Sequence, residues 1–198
     1  VAIGVNALMT EDDHANNIAI GYEALKVQDA GADAYNVAIG YQAGVAVSTG
    51  TSNTFVGGLS AGLGVVTDSH NVGIGTETLY DLTSGTSNVA IGFQAGASLT
   101  SGSYNVAIGR EALETEDGDG NNVAIGYRSL RLLNKGSDAY NVAIGTEAAQ
   151  IMTTGDACVA IGGFALDNNQ TGNNIVAVGY GALGTHQVSG DAGNVTAV

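Results

Sequence analysis

A four-residue phrase, Val-Ala-Ile-Gly or a close variant, recurs along the entire chain, and it constrains the fold more than any other feature. Its glycine falls at positions 4, 21, 40, 57, 75, 92, 109, 126, 145, 162 and 179, giving steps of 17 residues apart from one of 18 and two of 19. An array this regular marks stacked structural units, each too small to bury its own apolar side chains. Helical repeats are excluded because 17 residues cannot supply two helices and their turns. The missing leucine pattern also excludes a leucine-rich repeat. Three or four aliphatic side chains cannot offset the ordering of one such unit, so neighbours must share the work.

Each unit reads as strand, corner, short second side and turn. The strand is the run of β-branched and small residues before the glycine, bounded by asparagine on one side and glycine on the other. The asparagine recurs at Asn17, Asn36, Asn53, Asn71, Asn88, Asn105, Asn122, Asn141 and Asn194, with Cys158 and Ile175 as departures. It is expected either to adopt a left-handed conformation and bond the turn backbone, stacking on its copies, or to be a plain turn former. The motif glycine is expected to supply a positive φ or a close backbone approach. A parallel β-solenoid of about eleven coils follows, an all-β rod roughly 50 Å long at about 4.8 Å per coil.

Val and Ile alternate along each strand, as at Val37 and Ile39 or Val106 and Ile108, and are expected to stack in the coil interior. The residue between them is then expected to face outward. It is Ala38, Ala90, Ala107, Ala124, Ala143, Ala160 or Ala177 in most coils, with Phe55 and Gly73 as exceptions. A flat strip of alanines would make a candidate oligomer interface, its simplest partner another copy of the chain about an axis parallel to the rod. On that reading Ala107→Glu and Ala124→Glu dissociate the assembly.

Composition narrows the function. The chain has 31 Gly, no Pro and no Trp, and a formal charge of −14 from 19 acidic and 5 basic residues. Nucleic acid is therefore excluded as a partner, as is an anionic membrane surface. A lone cysteine, Cys158, excludes an internal disulfide framework and leaves the redox compartment open. No apolar stretch is long enough for a membrane helix, and the first residues have no signal-peptide pattern. The chain opens on Val1 within one motif and closes on Asn194-Val195-Thr196-Ala197-Val198, the start of another. It is expected to be a single solenoid domain over residues 1–198, cut from a longer fibrous protein.

Chemistry in the turns is sparse. His14, His70 and His186 share no register, and Ser84, Ser101 and Ser103 flank turn glycines without a nucleophile elbow. Gly57 to Gly64 is glycine-rich but lacks the Lys-Ser/Thr ending of a phosphate loop. Acidic clusters at Glu11-Asp12-Asp13 and at Glu114, Glu116, Asp117 and Asp119 match no calcium motif and read as solvated turns, so no cofactor is expected beyond adventitious Ca²⁺. Two glycosylation sequons, at Asn169 and Asn194, are chance matches in an Asn- and Thr-rich chain. The longer coils carry paired acids and tyrosines, Asp33 with Tyr35 and Asp138 with Tyr140, and the 18-residue coil carries Thr67-Asp68-Ser69-His70. Such insertions bulge from one face and are the candidate ligand loops, a spacing correction being the plainer reading.

The run Asn88-Val89-Ala90-Ile91-Gly92-Phe93-Gln94-Ala95-Gly96 and its siblings resemble the head repeats of YadA-like trimeric autotransporter adhesins. They also resemble the Asn-x-Ala-Ile-Gly-Tyr-x-Ala-Leu arrays of bacteriophage tail fibres, which the 17-residue step fits better than the shorter adhesin coils. The resemblance spans the chain. It implies a homotrimer of left-handed parallel β-rolls at a virion or cell surface, extracellular and non-enzymatic, serving host attachment through a surface glycan or receptor. The alternative is a monomeric surface-binding solenoid for ice or polysaccharide, which for ice would need a regular row of threonines that the sequence lacks. A polysaccharide-cleaving solenoid would need a cleft of acids and bases, against which the scattered Lys and Arg argue.

Overall fold

The computed structural model describes residues 1–11, 16–118, 120–185 and 195–198. Among the described residues twelve short strands follow one another: β1 Ala2–Ile3, β2 Ile18–Ile20, β3 Val37–Ile39, β4 Thr54–Val56, β5 Val72–Ile74, β6 Val89–Ile91, β7 Val106–Ile108, β8 Val123–Ile125, β9 Val142–Ile144, β10 Val159–Ile161, β11 Ile175–Val178 and β12 Val195–Ala197. All pair in parallel with their sequence neighbours, in the order β1 to β12. Equivalent residues sit directly above one another, as in Val89↔Val106, Ala90↔Ala107 and Ile91↔Ile108. The chain is thus a β-solenoid of about eleven turns, with the sheet as one wall and stacked turns as the others.

The facing of the strands reverses the expectation from the sequence. The alanines Ala38, Ala90, Ala107, Ala124, Ala143, Ala160 and Ala177 all lie in the core of the single chain, whereas the flanking Val and Ile side chains are half-buried or exposed. The alanine strip is therefore no surface on which a partner could dock. Two physical reasons set this facing. Side chains alternate along a strand, so Ala must share a face with the Asn two residues before it, and Asn36, Asn53, Asn88, Asn105 and Asn122 are fully enclosed. The space opposite the sheet is already taken by turn-side residues, Leu25, Leu79, Leu113, Leu130 and Leu166, with Leu82, Leu99, Leu133 and Met152 beside them. A coil this thin has room for Ala on the strand side and none for Ile.

The exceptions show how closely the interior volume is balanced. Phe55 stands where most coils have Ala and is fully buried. Its neighbours have shrunk to match: a Cβ on Gly44 would lie 3.3 Å from the Phe55 ring, and one on Gly73 would lie 3.2 Å from it. Gly73 also leaves room for Ser60 and Thr78, whose buried hydroxyls pair at 2.7 Å.

The enclosed asparagines form a ladder that ties coils in two directions. Along the rod, each Oδ1 accepts the backbone N–H of the next, as from Asn36 to Asn17 at 2.8 Å, Asn53 to Asn36 at 2.8 Å and Asn105 to Asn88 at 2.9 Å. Across the coil, Nδ2 reaches a turn carbonyl 14 residues on, as from Asn36 to Gly50 at 2.7 Å and Asn88 to Gly102 at 2.8 Å. The left-handed conformation belongs to the residue before the asparagine, for example Tyr35, Ser52, Ser87 and Tyr104, and not to the asparagine itself. The motif glycine needs both properties ascribed to it. Gly109 has φ of 131°, and a Cβ there would lie 2.5 Å from the carbonyl oxygen of Gly126 in the next coil.

Candidate functional site

The outward face of the sheet presents two parallel rows, one led by Val and one by Ile, from end to end of the rod. Strands β6, β7 and β8 are typical, each with a buried central alanine between partly exposed Val and Ile. Two of these rows side by side make an apolar ribbon on a chain that is otherwise strongly acidic. At the glycine edge of the ribbon runs a third row rich in aromatic residues. Tyr22 stacks on Tyr41 with ring centroids 5.5 Å apart, and the Arg110 guanidinium lies 5.6 Å from the centre of the Phe93 ring.

A second set of tyrosines stands at the opposite edge, one residue before the ladder asparagines. Tyr35, Tyr104 and Tyr140 are 59%, 61% and 60% exposed. Tyr35 and Tyr140 belong to the two 19-residue coils, whose extra residues fold alike. Gly31 and Gly136 turn at positive φ into open space, while Ala34 and Ala139 anchor each bulge in the interior. In each bulge the tyrosine hydroxyl lies 3.4 Å from the carboxylate two residues earlier, Asp33 or Asp138. The two loops are not brought together, since six coils, roughly 29 Å of rod, separate them. Tyr104 shares the register of Tyr140 two coils away, and sequence reasoning passed over it because its coil has the ordinary length. The signal was the pair Tyr-Asn directly before the strand, at 35–36, 104–105 and 140–141.

The charges arrange themselves around few cations. All five basic residues are paired: Lys26 with Glu23, Arg110 and Arg128 with Glu111, Arg131 with Glu114, and Lys135 with Asp156. Glu23 is held down to about 2, first by the hydrogen bond from Lys26 and then by that from Gln42 in the next coil. Burial pushes Glu111 up, but the bonds from Arg128 and Arg110 outweigh it and its carboxyl stays below the ordinary range. Asp167 moves the other way, raised by burial and by the nearby Glu147.

The remaining candidates fall where the repeat puts them. Asp12, Asp13, His14, Asp119, His186 and Asn194 lie outside the described residues. Glu116 is fully buried in the register of Leu82 and Leu99, so that acidic cluster is not a solvated turn throughout. Among the described residues no group of His, Cys, Asp and Glu is placed to hold a metal ion. Ser60 in the glycine-rich run donates to the Gly73 carbonyl at 3.2 Å and is enclosed, as a coil residue and not a phosphate cradle. The Asn169 sequon is buried too, its Oδ1 accepting from the Gly172 N–H. The bridge between Val47 and Val66 places the lengthening of the 18-residue coil ahead of Val66, where Leu63 and Val65 are exposed, and not at Thr67 to His70.

No protein family, curated protein or solved structure matches the chain.

Proposed function

We propose that this chain is one third of a homotrimeric fibre segment, three left-handed β-rolls packed about a common axis, acting in a phage tail fibre or bacterial surface adhesin. Its work is to space or mediate attachment at the virion or cell surface, and it is structural, not catalytic. The observation that carries the proposal is the Val and Ile ribbon. An apolar surface that runs along a rod this acidic, interrupted in the Val row only by Thr54 and Thr196 among the described strands, needs covering, and an identical rod offers a ribbon of the same length and period. The resemblance of the repeat to adhesin heads and tail-fibre arrays supplies the surface role.

Mass in solution tests the reading. Sedimentation should give three times the chain mass. Ile108→Glu with Val123→Glu, both on the outward face, should yield folded monomers. Ala107→Glu should instead unfold the coil, because it places a charge among Ala90, Ala124 and the leucines. A wild-type chain that stays monomeric and soluble sinks the trimer and leaves the monomeric surface-binding solenoid.

A further inference from the structure

We propose that Tyr104, Asn121, Asp138 and Tyr140 form a binding strip for an uncharged, hydroxyl-rich saccharide chain lying along the rod. The inference deepens the attachment role proposed above by naming its ligand, while the strip itself is a property of one chain.

Register brings these residues together. Tyr104, Asn121 and Tyr140 each stand one residue before a ladder asparagine, at the edges of β7, β8 and β9. Backbone bonds tie the row, Tyr104 N–H to the Thr86 carbonyl at 3.0 Å and Asn121 N–H to that of Ser103 at 3.0 Å. Two coils separate the tyrosines, about 10 Å along the axis, with the Asn121 amide between them. Asp138 completes the group from its bulge. A Cβ on Gly120 would lie 2.6 Å from Asp138 Oδ1, so the bare glycine is what lets the carboxylate lie against the row beside Asn121.

Packing does not account for the tyrosines. All positions in this row have left-handed backbone, φ of 61° at Tyr104, 62° at Asn121 and 54° at Tyr140. Asparagine tolerates that conformation, whereas a bulky side chain is strained in it. Ser52 and Ser87 fill the same place in other coils at φ of 58°. Tyrosine here thus adds strain and leaves its ring in solvent, which marks the residue as kept for contact with something outside the chain. An exposed ring with a polar tip offers an apolar face for sugar C–H groups, while the flanking carboxylate accepts from sugar hydroxyls and the amide both accepts from and donates to them. Charge fixes the class of sugar. With every Lys and Arg already paired inside the chain and a formal charge of −14, sialic acids and uronates would meet repulsion with no cation to receive them.

Calorimetric titration of the intact chain with cellohexaose and chitohexaose, against an oligogalacturonate of equal length, tests the proposal. At least one neutral hexasaccharide should bind saturably and the anionic one should not. Tyr104→Ser and Tyr140→Ser, borrowing the residue used at 52 and 87, should each weaken binding roughly tenfold, and the double variant should abolish it. Tyr35→Ser, four coils from Tyr104, should leave the affinity unchanged. Absence of binding to both neutral sugars, equal binding of the anionic one, or full binding by the double variant would overturn the strip. So would a double variant of altered mass, since the row would then be a contact between chains. Mass measured on the same samples keeps the two readings apart: a monomer that binds sugar through these tyrosines retains the strip and loses the trimer.

Discussion

The first eight ladder positions and the next two solve one structural problem in different ways. From Asn17 to Asn141 the position before the strand is always asparagine; each Oδ1 receives the N–H of the next ladder residue, and Nδ2 of Asn36, Asn71, Asn88 and Asn141 closes the coil on a carbonyl 14 residues on. At Cys158 the thiol keeps the lateral bond, 3.2 Å to the Gly172 carbonyl, and its backbone N–H still donates to Asn141 Oδ1 at 3.0 Å. Upward it offers only sulfur, approached by the backbone of Ile175 and Asn174. Ile175 fills the next ladder position with a fully buried hydrocarbon, and a Cβ on Gly172 would lie 2.6 Å from its Cδ1. Local hydrogen bonding takes over there, with Asn169 Oδ1 accepting the Gly172 N–H at 2.9 Å. The ladder position therefore demands that its neighbours' backbone groups be satisfied, by whatever group reaches them, and the coils differ in how well that demand is met.

Breaking the strong half gives the largest effect. Asn88→Ala removes the donor to Gly102 at 2.8 Å and leaves the buried N–H of Asn105, bonded at 2.9 Å to Asn88 Oδ1, without an acceptor. The expected loss is about 3 kcal/mol, with the urea midpoint falling accordingly. The same exchange at Cys158 should remove about 1 kcal/mol, because a sulfur bond is the weaker one to lose. Equal losses at the two sites would show that the ladder contributes through packing and not through hydrogen bonds.

How much of this was legible in the sequence follows from what kind of physics each feature needs. The period, the strands and the two duties of the motif glycine follow from spacing and backbone sterics, and they stand in the structure as read. Size and hydrophobicity alone point the strand the wrong way round. Asn17 and Ala19, two residues apart, had to share a face, so the choice lay between burying Asn with Ala and burying Val with Ile. Only the closure of the coil settles that, since the turn side brings in Leu25 and Leu113 and fills the interior. The buried polar residues of the turns, Gln28, Glu116 and Asn169, were hidden for a related reason. They stand in register with Leu82 and Leu133, but the stretch around them reads as solvated loop.

Extending the ladder should produce a smaller gain of the opposite sign. Cys158→Asn would restore an oxygen acceptor for the Ile175 N–H while Nδ2 replaced the thiol donor to Gly172. A gain of about 1 kcal/mol is expected, visible as a higher urea midpoint at unchanged slope. Native-state hydrogen exchange should place the gain at the amides of residues 174–176 and leave those near Asn36 alone. A uniform gain along the rod would mean that the coils unfold as one unit and that the comparison between halves has no local meaning.

Acidification should narrow the difference by the least amount. Glu23, near the start, has a folded value of about 2 against an ordinary 4.5. Its contribution is complete above pH 4.5 and drains away as pH falls toward 2. Asp167, between the ladder positions Cys158 and Ile175, is raised above its ordinary 3.8 by burial and by Glu147, so its contribution is complete below 3.8 and is lost as pH rises through the folded value. Moving from neutral pH to about 3 should weaken the coil of Glu23 and strengthen that of Asp167. Hydrogen-exchange protection, corrected for the intrinsic rate at each pH, should converge between the two coils. Glu23→Gln should abolish the change at one end and Asp167→Asn the change at the other. Added salt should reduce the Glu23 arm more, because that carboxylate owes its low value chiefly to the partly exposed Lys26. Convergence that survives both substitutions would trace the pH response to groups shared by all coils, and the two ends would then differ in hydrogen bonding alone.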